Sequence, residues 1–202
     1  MTMQYPEVLE KLVDILKKIP AIGKKNAERM ALQIFLQKSD FINSLVTTLQ
    51  EVRDSLILCR QCNNISNEKI CTICQDTKRE QNVLCIVSNW QDLWALENHQ
   101  VFNGMYHILI QEIDLQKGIS PNDLSLDLLL TRVNNKKWQE IIIATSSTIN
   151  GELTAQYINE LLKNYSDVSI TRIAHGLPVG ATIHYADQFT LKKSLEGRKK
   201  LS

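Results

Sequence analysis

Four cysteines within sixteen residues are the chemically most pointed feature of this 202-residue chain. Cys59-Arg60-Gln61-Cys62 and Cys71-Thr72-Ile73-Cys74 form C-x2-C-x8-C-x2-C. Each C-x2-C turn aims two thiolates at one ion, and the eight-residue loop between them is long enough to fold the second turn onto the first. Four sulfurs complete a tetrahedral zinc site with no open position, so the expected role is structural: one zinc per chain and no activated water. A redox dithiol is the alternative, but two adjacent pairs without thioredoxin-like surroundings do not favour it. Cys85 lies in an apolar run and reads as core. An odd cysteine count argues against a disulfide framework. His175 has no nucleophile and orienting acid beside it and reads as a loop-structuring residue, while His99, His107 and His184 show no ligand spacing.

A second candidate is Ile19-Pro20-Ala21-Ile22-Gly23-Lys24-Lys25-Asn26-Ala27-Glu28-Arg29. A helix ends, a tight apolar turn follows and another helix begins at a glycine. Gly23 permits close backbone approach, and the free N–H groups and dipole of the new helix favour a phosphate. Lys24, Lys25 and Arg29 add point charges. These residues are the expected DNA-binding set, and the segment resembles the helix-hairpin-helix that grips nucleic-acid backbones without reading sequence. An ordinary helical corner is the competing explanation.

The elements that must hold these residues follow from periodicity. Leu9, Leu12, Val13, Leu16 and Ile19 mark a helix over 7–19, stopped by Pro20. Ala27, Met30, Ala31, Ile34 and Phe35 mark a second, and Phe41, Leu45, Leu49, Val52 and Leu56 a third capped by Ser39 or Asp40. Beyond the cysteines, β-branched runs at 83–87, 106–110, 140–144 and 168–171 alternate with helical patterns at 91–98, 121–134 and 152–164. That alternation predicts a parallel sheet with helices on both faces. The segment after residue 176 reads as loop, short strand from Thr182 to Tyr185, helix from Asp187 and basic tail. The fold class is thus α+β multidomain. The divisions are 1–57 helical, 58–79 finger, 80–175 α/β domain and 176–202 C-terminal segment.

Net charge is only +1, so any nucleic-acid contact must come from local patches. Two exist: Lys17, Lys18, Lys24, Lys25 and Arg29 against Glu28, and Lys192, Lys193, Arg198, Lys199 and Lys200 against Glu196. Apolar runs are too short to span a bilayer, and the opening residues carry no leader pattern. A cytoplasmic protein with no membrane partner is expected.

Strand order and spacing in the α/β part resemble a Toprim domain. Catalytic Toprim members hold magnesium with a glutamate after the first strand and a D-x-D pair after a later one. Here those strands end Val87-Ser88-Asn89 and Ala144-Thr145-Ser146, with no acid. Asp92 and Glu152 lie nearby, where each suits a helix N-terminus. No catalytic residue is therefore expected. The alternative is a magnesium-dependent Toprim nuclease or primase-like phosphoryl transferase; a zinc-dependent scaffold that binds only proteins is a third reading.

Hairpin, four-cysteine finger, degenerate Toprim part, Arg172-Ile173-Ala174-His175-Gly176-Leu177-Pro178-Val179-Gly180 and Ser194-Leu195-Glu196-Gly197-Arg198 occur in this order. The set is similar to the RecR recombination mediator family over residues 5 to 200. The resemblance implies a non-enzymatic DNA-repair protein that binds single-stranded, gapped and double-stranded DNA. It also implies work with RecO and RecF to let RecA replace single-strand-binding protein, and assembly as a homotetrameric ring around DNA. The family pattern has glutamate where this chain has Ser88 and Asn150, asparagine at Ser146 and glycine at Ala21.

Overall fold

The computed structural model describes residues 5–165, 167–198 and 200. Residues Met1 to Gln4, from the opening segment, and Lys199 of the basic tail lie outside the described residues. The chain divides into two units, 1–56 and 57–202.

The first unit holds three helices: α1 (Glu7–Leu16), α2 (Lys24–Phe35) and α3 (Ser39–Ser55). Val13 and Leu16 pack against Ala27 and Ala31, with Leu9, Leu12, Ile22 and Ile34 around them. Alanines one helical turn apart on α2 leave no bulk between the axes, which lets α1 lie close. Two expectations need correction. The first helix stops at Leu16, not at residue 19, because the amides of Lys18 and Ile19 bond three residues back to Ile15 and Leu16 as the chain tightens toward Pro20. At α3 the cap position is Lys38, not Ser39 or Asp40; Ser39 is already helical and no side chain caps the end. No residue of α3 is buried.

The second unit opens with the finger. β1 (Ile57–Leu58) pairs antiparallel with β2 (Ile65–Ser66), and α4 (Thr72–Gln75) follows. Next come β3 (Glu80–Val87), α5 (Trp90–Asn98), β4 (Gly104–Ile108), α6 (Leu126–Asn134), β5 (Glu140–Ala144), α7 (Ile149–Leu162) and β6 (Ser169–Arg172). The four long strands form a wholly parallel sheet in the order β4-β3-β5-β6. Period-two alternation sends Leu84, Ile86, Ile141 and Ile143 to the face covered by α6 and α7. It sends Cys85, Val87, Tyr106 and Ile108 to the face covered by α5. Helices thus cover both faces, as the sequence pattern requires.

Two further expectations fail locally. The expected helix 121–134 is broken: Pro121–Asp123 is a 3-10 turn, Leu124 is extended and α6 starts at Leu126. The Asp123 carboxylate accepts from the Ser120 amide at 2.8 Å and hydroxyl at 2.6 Å, which closes the tight turn before a helix can propagate. The expected strand from Thr182 to Tyr185 is a 3-10 turn, Ile183–Tyr185. Its amides bond locally, Tyr185 to Thr182 and Ala186 to Ile183, and among the described residues no ladder is offered to it. α8 (Gln188–Glu196) begins where expected, with the Asp187 carboxylate accepting from the Thr190 amide at 3.0 Å.

The finger packs along the outer side of β4, an edge strand. The Ile108 amide donates to the Cys62 carbonyl at 2.9 Å, and the Asn63 side chain donates to the Ile108 carbonyl at 3.0 Å. Arg79 donates to the Gly104 carbonyl at 3.1 Å, and Arg132 donates to that of Tyr106. Backbone groups at 104, 106 and 108 therefore find partners outside the sheet.

Candidate nucleic-acid interface and metal centre

The hairpin between α1 and α2 turns on Ala21, whose φ of 66° lies in the left-handed region. That conformation costs an L-residue roughly 1–2 kcal/mol and favours glycine. The Ile22 amide closes the turn on the Ile19 carbonyl at 3.1 Å. Gly23 then caps α2 with an ordinary φ of −77°, and no side chain bonds the first amides of the helix. A side chain added at Gly23 would meet nothing within 4 Å. Among the described residues nothing requires a glycine there; its absent side chain leaves the helix N-terminus open. Lys24, Lys25 and Arg29 are exposed. Lys24 approaches Glu28 only at 4.0 Å, and among the described residues Lys25 and Arg29 have no carboxylate partner.

The four cysteines converge as expected. Their sulfurs all lie within 4.8 Å of one another, with Cys62 and Cys71 3.5 Å apart. A tetrahedral ion bound at about 2.3 Å separates its sulfurs by about 3.8 Å, so the set fits such an ion. Cys59, Cys62 and Cys71 are buried, and the Cys71 amide donates to Cys59 Sγ at 3.3 Å. Hydrogen bonding between Cys59 and Cys62 drives the Cys59 thiol well below the ordinary range and Cys62 well above it. Thiols crowded in this way give up their protons when a cation supplies the compensating charge. Cys85 sits apart, and burial pushes its thiol up to about 12.

The third site is the pole of the sheet where β3, β4 and β5 end, the usual place for chemistry in an open α/β fold. Ser88 and Ser146 occupy the strand ends, and the cleft of 270 Å³ between them is also lined by Asn89, Glu112, Lys117 and Asn150. Glu112 was not singled out from the sequence. It comes from the loop after β4, where no motif marks it, and it accepts from both serines. Asp92 stands in the first turn of α5, whose cap is Asn89. Burial, then the charge of Glu112, raises its carboxyl above the usual range. Glu152 is engaged elsewhere: its carboxylate is 2.9 Å from Arg172 and 3.3 Å from His175 Nε2. Arg172 also donates to the carbonyls of Ile143, Thr145 and Ser146. A side chain at Gly151 would collide with the Ser146 carbonyl, so glycine lets α7 start close against this strand end.

A hairpin unit, a four-thiol finger and a parallel Toprim sheet, joined in that order, define the Toprim-bearing recombination proteins. Family models agree: a RecR helix-hairpin-helix matches residues 9–53, a Toprim domain 82–174 and a RecR C-terminal region 176–199. The chain is 42% identical over 197 residues to the recombination protein RecR of Natranaerobius thermophilus, an alignment covering 98% of each chain. It belongs to the RecR family. Among the described residues no helix is long and apolar enough to cross a membrane.

Proposed function

We propose that this chain is a non-enzymatic mediator of recombinational DNA repair, binding DNA through the open end of α2. One observation carries the reading: uncapped amides at the α2 N-terminus, beside a glycine whose missing side chain leaves free space, with Lys24, Lys25 and Arg29 exposed around it. Such a surface takes a phosphate without reading a base, so single-stranded, gapped and double-stranded DNA are all substrates for it. DNA binding by the wild-type chain should weaken steeply with salt, and reversing Lys25 and Arg29 to glutamate should abolish it while zinc content stays unchanged. Normal binding by that double variant at low salt would reduce the hairpin to a structural corner.

One zinc per chain, held by Cys59, Cys62, Cys71 and Cys74, fixes the finger. RecO and RecF are the proposed partners, with RecA loading as the outcome, by family membership. The divisions at 57, 79 and 175 mark the proposed functional parts, acting in the cytoplasm. Several hairpins on one closed homotetramer would bind as a multivalent unit with an avidity no single chain has. The first unit supports assembly: a cavity of 620 Å³ lined by Val8, Leu12, Leu32 and Phe35 opens on its surface. Val8 and Phe35 are 78% and 75% exposed. Light scattering with and without DNA tests this; a strict monomer that binds DNA at physiological salt would end the ring proposal.

A further inference from the structure

Arg79 beside the finger is answered by Glu97 and Asp76, but two other cations there are not. Arg132 and Lys136, at the end of α6 and just beyond it, have no acidic partner among the described residues. Arg132 is half-buried and reaches three different segments. One amino group donates to the Gln61 carbonyl, inside the first C-x2-C turn, at 2.9 Å. The same group donates to the Tyr106 carbonyl on the β4 edge. The other approaches Cys74 Sγ, in the second C-x2-C turn, at 3.7 Å. Trp138 lies 5.7 Å from the guanidinium, and its indole N–H donates to the Arg132 carbonyl at 3.3 Å. Trp138 thus holds the backbone of Arg132 and places its ring near the guanidinium.

Electrostatics gives that placement a purpose. Four thiolates on one divalent ion carry a net charge of about −2. A mostly buried centre of that charge is costly unless positive groups or N–H donors face it. Cys59 Sγ accepts from a backbone amide, whereas Cys74 Sγ accepts from Arg132. The planar guanidinium spreads its donors over two nitrogens in a fixed fork, one meeting both carbonyls and the other the sulfur, whereas the three donors of an ammonium radiate from a single atom.

We infer that Arg132 is the outer-sphere positioning residue of the four-thiol centre, orienting Cys74 and tying metal occupancy of the finger to the β4 edge. The inference rests on the metal reading of the four cysteines. It assigns Arg132 a role toward the metal distinct from general packing.

The test uses the full chain loaded with cobalt(II) as a spectroscopic probe, and separately with zinc. Loss of an outer-sphere partner typically weakens metal binding by about 10–100-fold. Arg132→Gln should therefore release zinc to a competing chelator faster by about that factor. Its thiolate-to-cobalt charge-transfer band should move to longer wavelength, because Cys74 no longer donates part of its electron density to a hydrogen bond. Arg132→Lys should recover part of both effects. Lys136→Gln, which alters local charge without contact to a sulfur, should change neither the band nor the ordering of the variants. Wild-type spectra and release rates in Arg132→Gln would overturn the inference. If that variant does not fold, the same readings are taken on Arg132→Lys, and wild-type values there overturn it equally. A wild-type chain that takes up no metal overturns the metal reading itself, whereas normal uptake with unaffected variants overturns only the role of Arg132.

Discussion

Ser146 holds Glu112 twice, donating from its backbone amide at 2.7 Å and from its hydroxyl at 2.9 Å to different oxygens of one carboxylate. Ser88 adds a third donor. The loop after β4 is thereby pinned across the ends of β3 and β5. It contains Ile110, a β-branched residue held at a φ of 76°. Such strain persists only where the surroundings over-determine it.

A carboxylate with three of its roughly four acceptor sites taken by protein donors is poorly disposed to hold magnesium. Glu112→Gln should lower unfolding free energy by about 1–3 kcal/mol, the usual cost of hydrogen bonds to a charged group. Urea unfolding measures it. No magnesium- or manganese-dependent strand cleavage is expected from the wild-type protein. Cleavage that disappears in Glu112→Gln, Asp92→Asn or Glu152→Gln would revive the phosphoryl-transfer reading.

Zinc removal should cost far more than any one side chain. Structural zinc sites contribute about 10–16 kcal/mol of apparent binding energy, comparable to the stability of a whole domain. Elemental analysis of metal-replete protein should give one zinc per chain. Cys62→Ser should lose the metal and the protease resistance of residues 57–79 together; full resistance without metal would contradict the structural role.

The hairpin carries a correctable strain. Ala21→Gly removes a left-handed penalty of roughly 1–2 kcal/mol. Greater freedom of the unfolded chain returns about 0.4–1 kcal/mol of that. A net gain of up to about 1.6 kcal/mol is expected, read as a higher denaturant midpoint. A lower midpoint would show that Ala21 is not strained.

Glu152 sets a pH dependence. Burial pushes its carboxyl up, but the hydrogen bond and charge of Arg172 outweigh it and hold the group below its ordinary value of 4.5. A depressed folded value means the unfolded state takes up the proton first. The contribution is full above the ordinary value and disappears as pH falls through the folded one. Wild type and Glu152→Gln should therefore differ by about 1–3 kcal/mol at neutral pH and converge in acid. Parallel stability profiles down to low pH would rule out the ion pair as a stabiliser.

Local signals were the legible ones. The cysteine pairs announce themselves because ligand spacing lies within two turns of chain, and the Glu140–Ala144 strand because three consecutive isoleucines stand together in a short apolar run. The hairpin was visible through Pro20 and Gly23. Glu112 was not, since its partners are 24 and 34 residues away and nothing in Gln111-Glu112-Ile113 marks a site. Arg132 escaped for the same reason: its three acceptors come from three segments. Ile183-His184-Tyr185 misled because β-propensity needs a neighbouring strand to express it, and among the described residues its amides meet only local carbonyls.

The finger's seat along β4 has a consequence for the newly made chain. If an ion is what gathers the four thiols, its loss would free the Cys62 carbonyl and the Asn63 side chain, and with them the cover on the amide and carbonyl of Ile108. An unshielded parallel edge is a template for any extended segment of another chain. With zinc as the proposed ion, metal supply during synthesis is expected to bear on solubility as well as shape: chains made under zinc starvation should appear in inclusion bodies, joined through the strand end that the finger would have sealed.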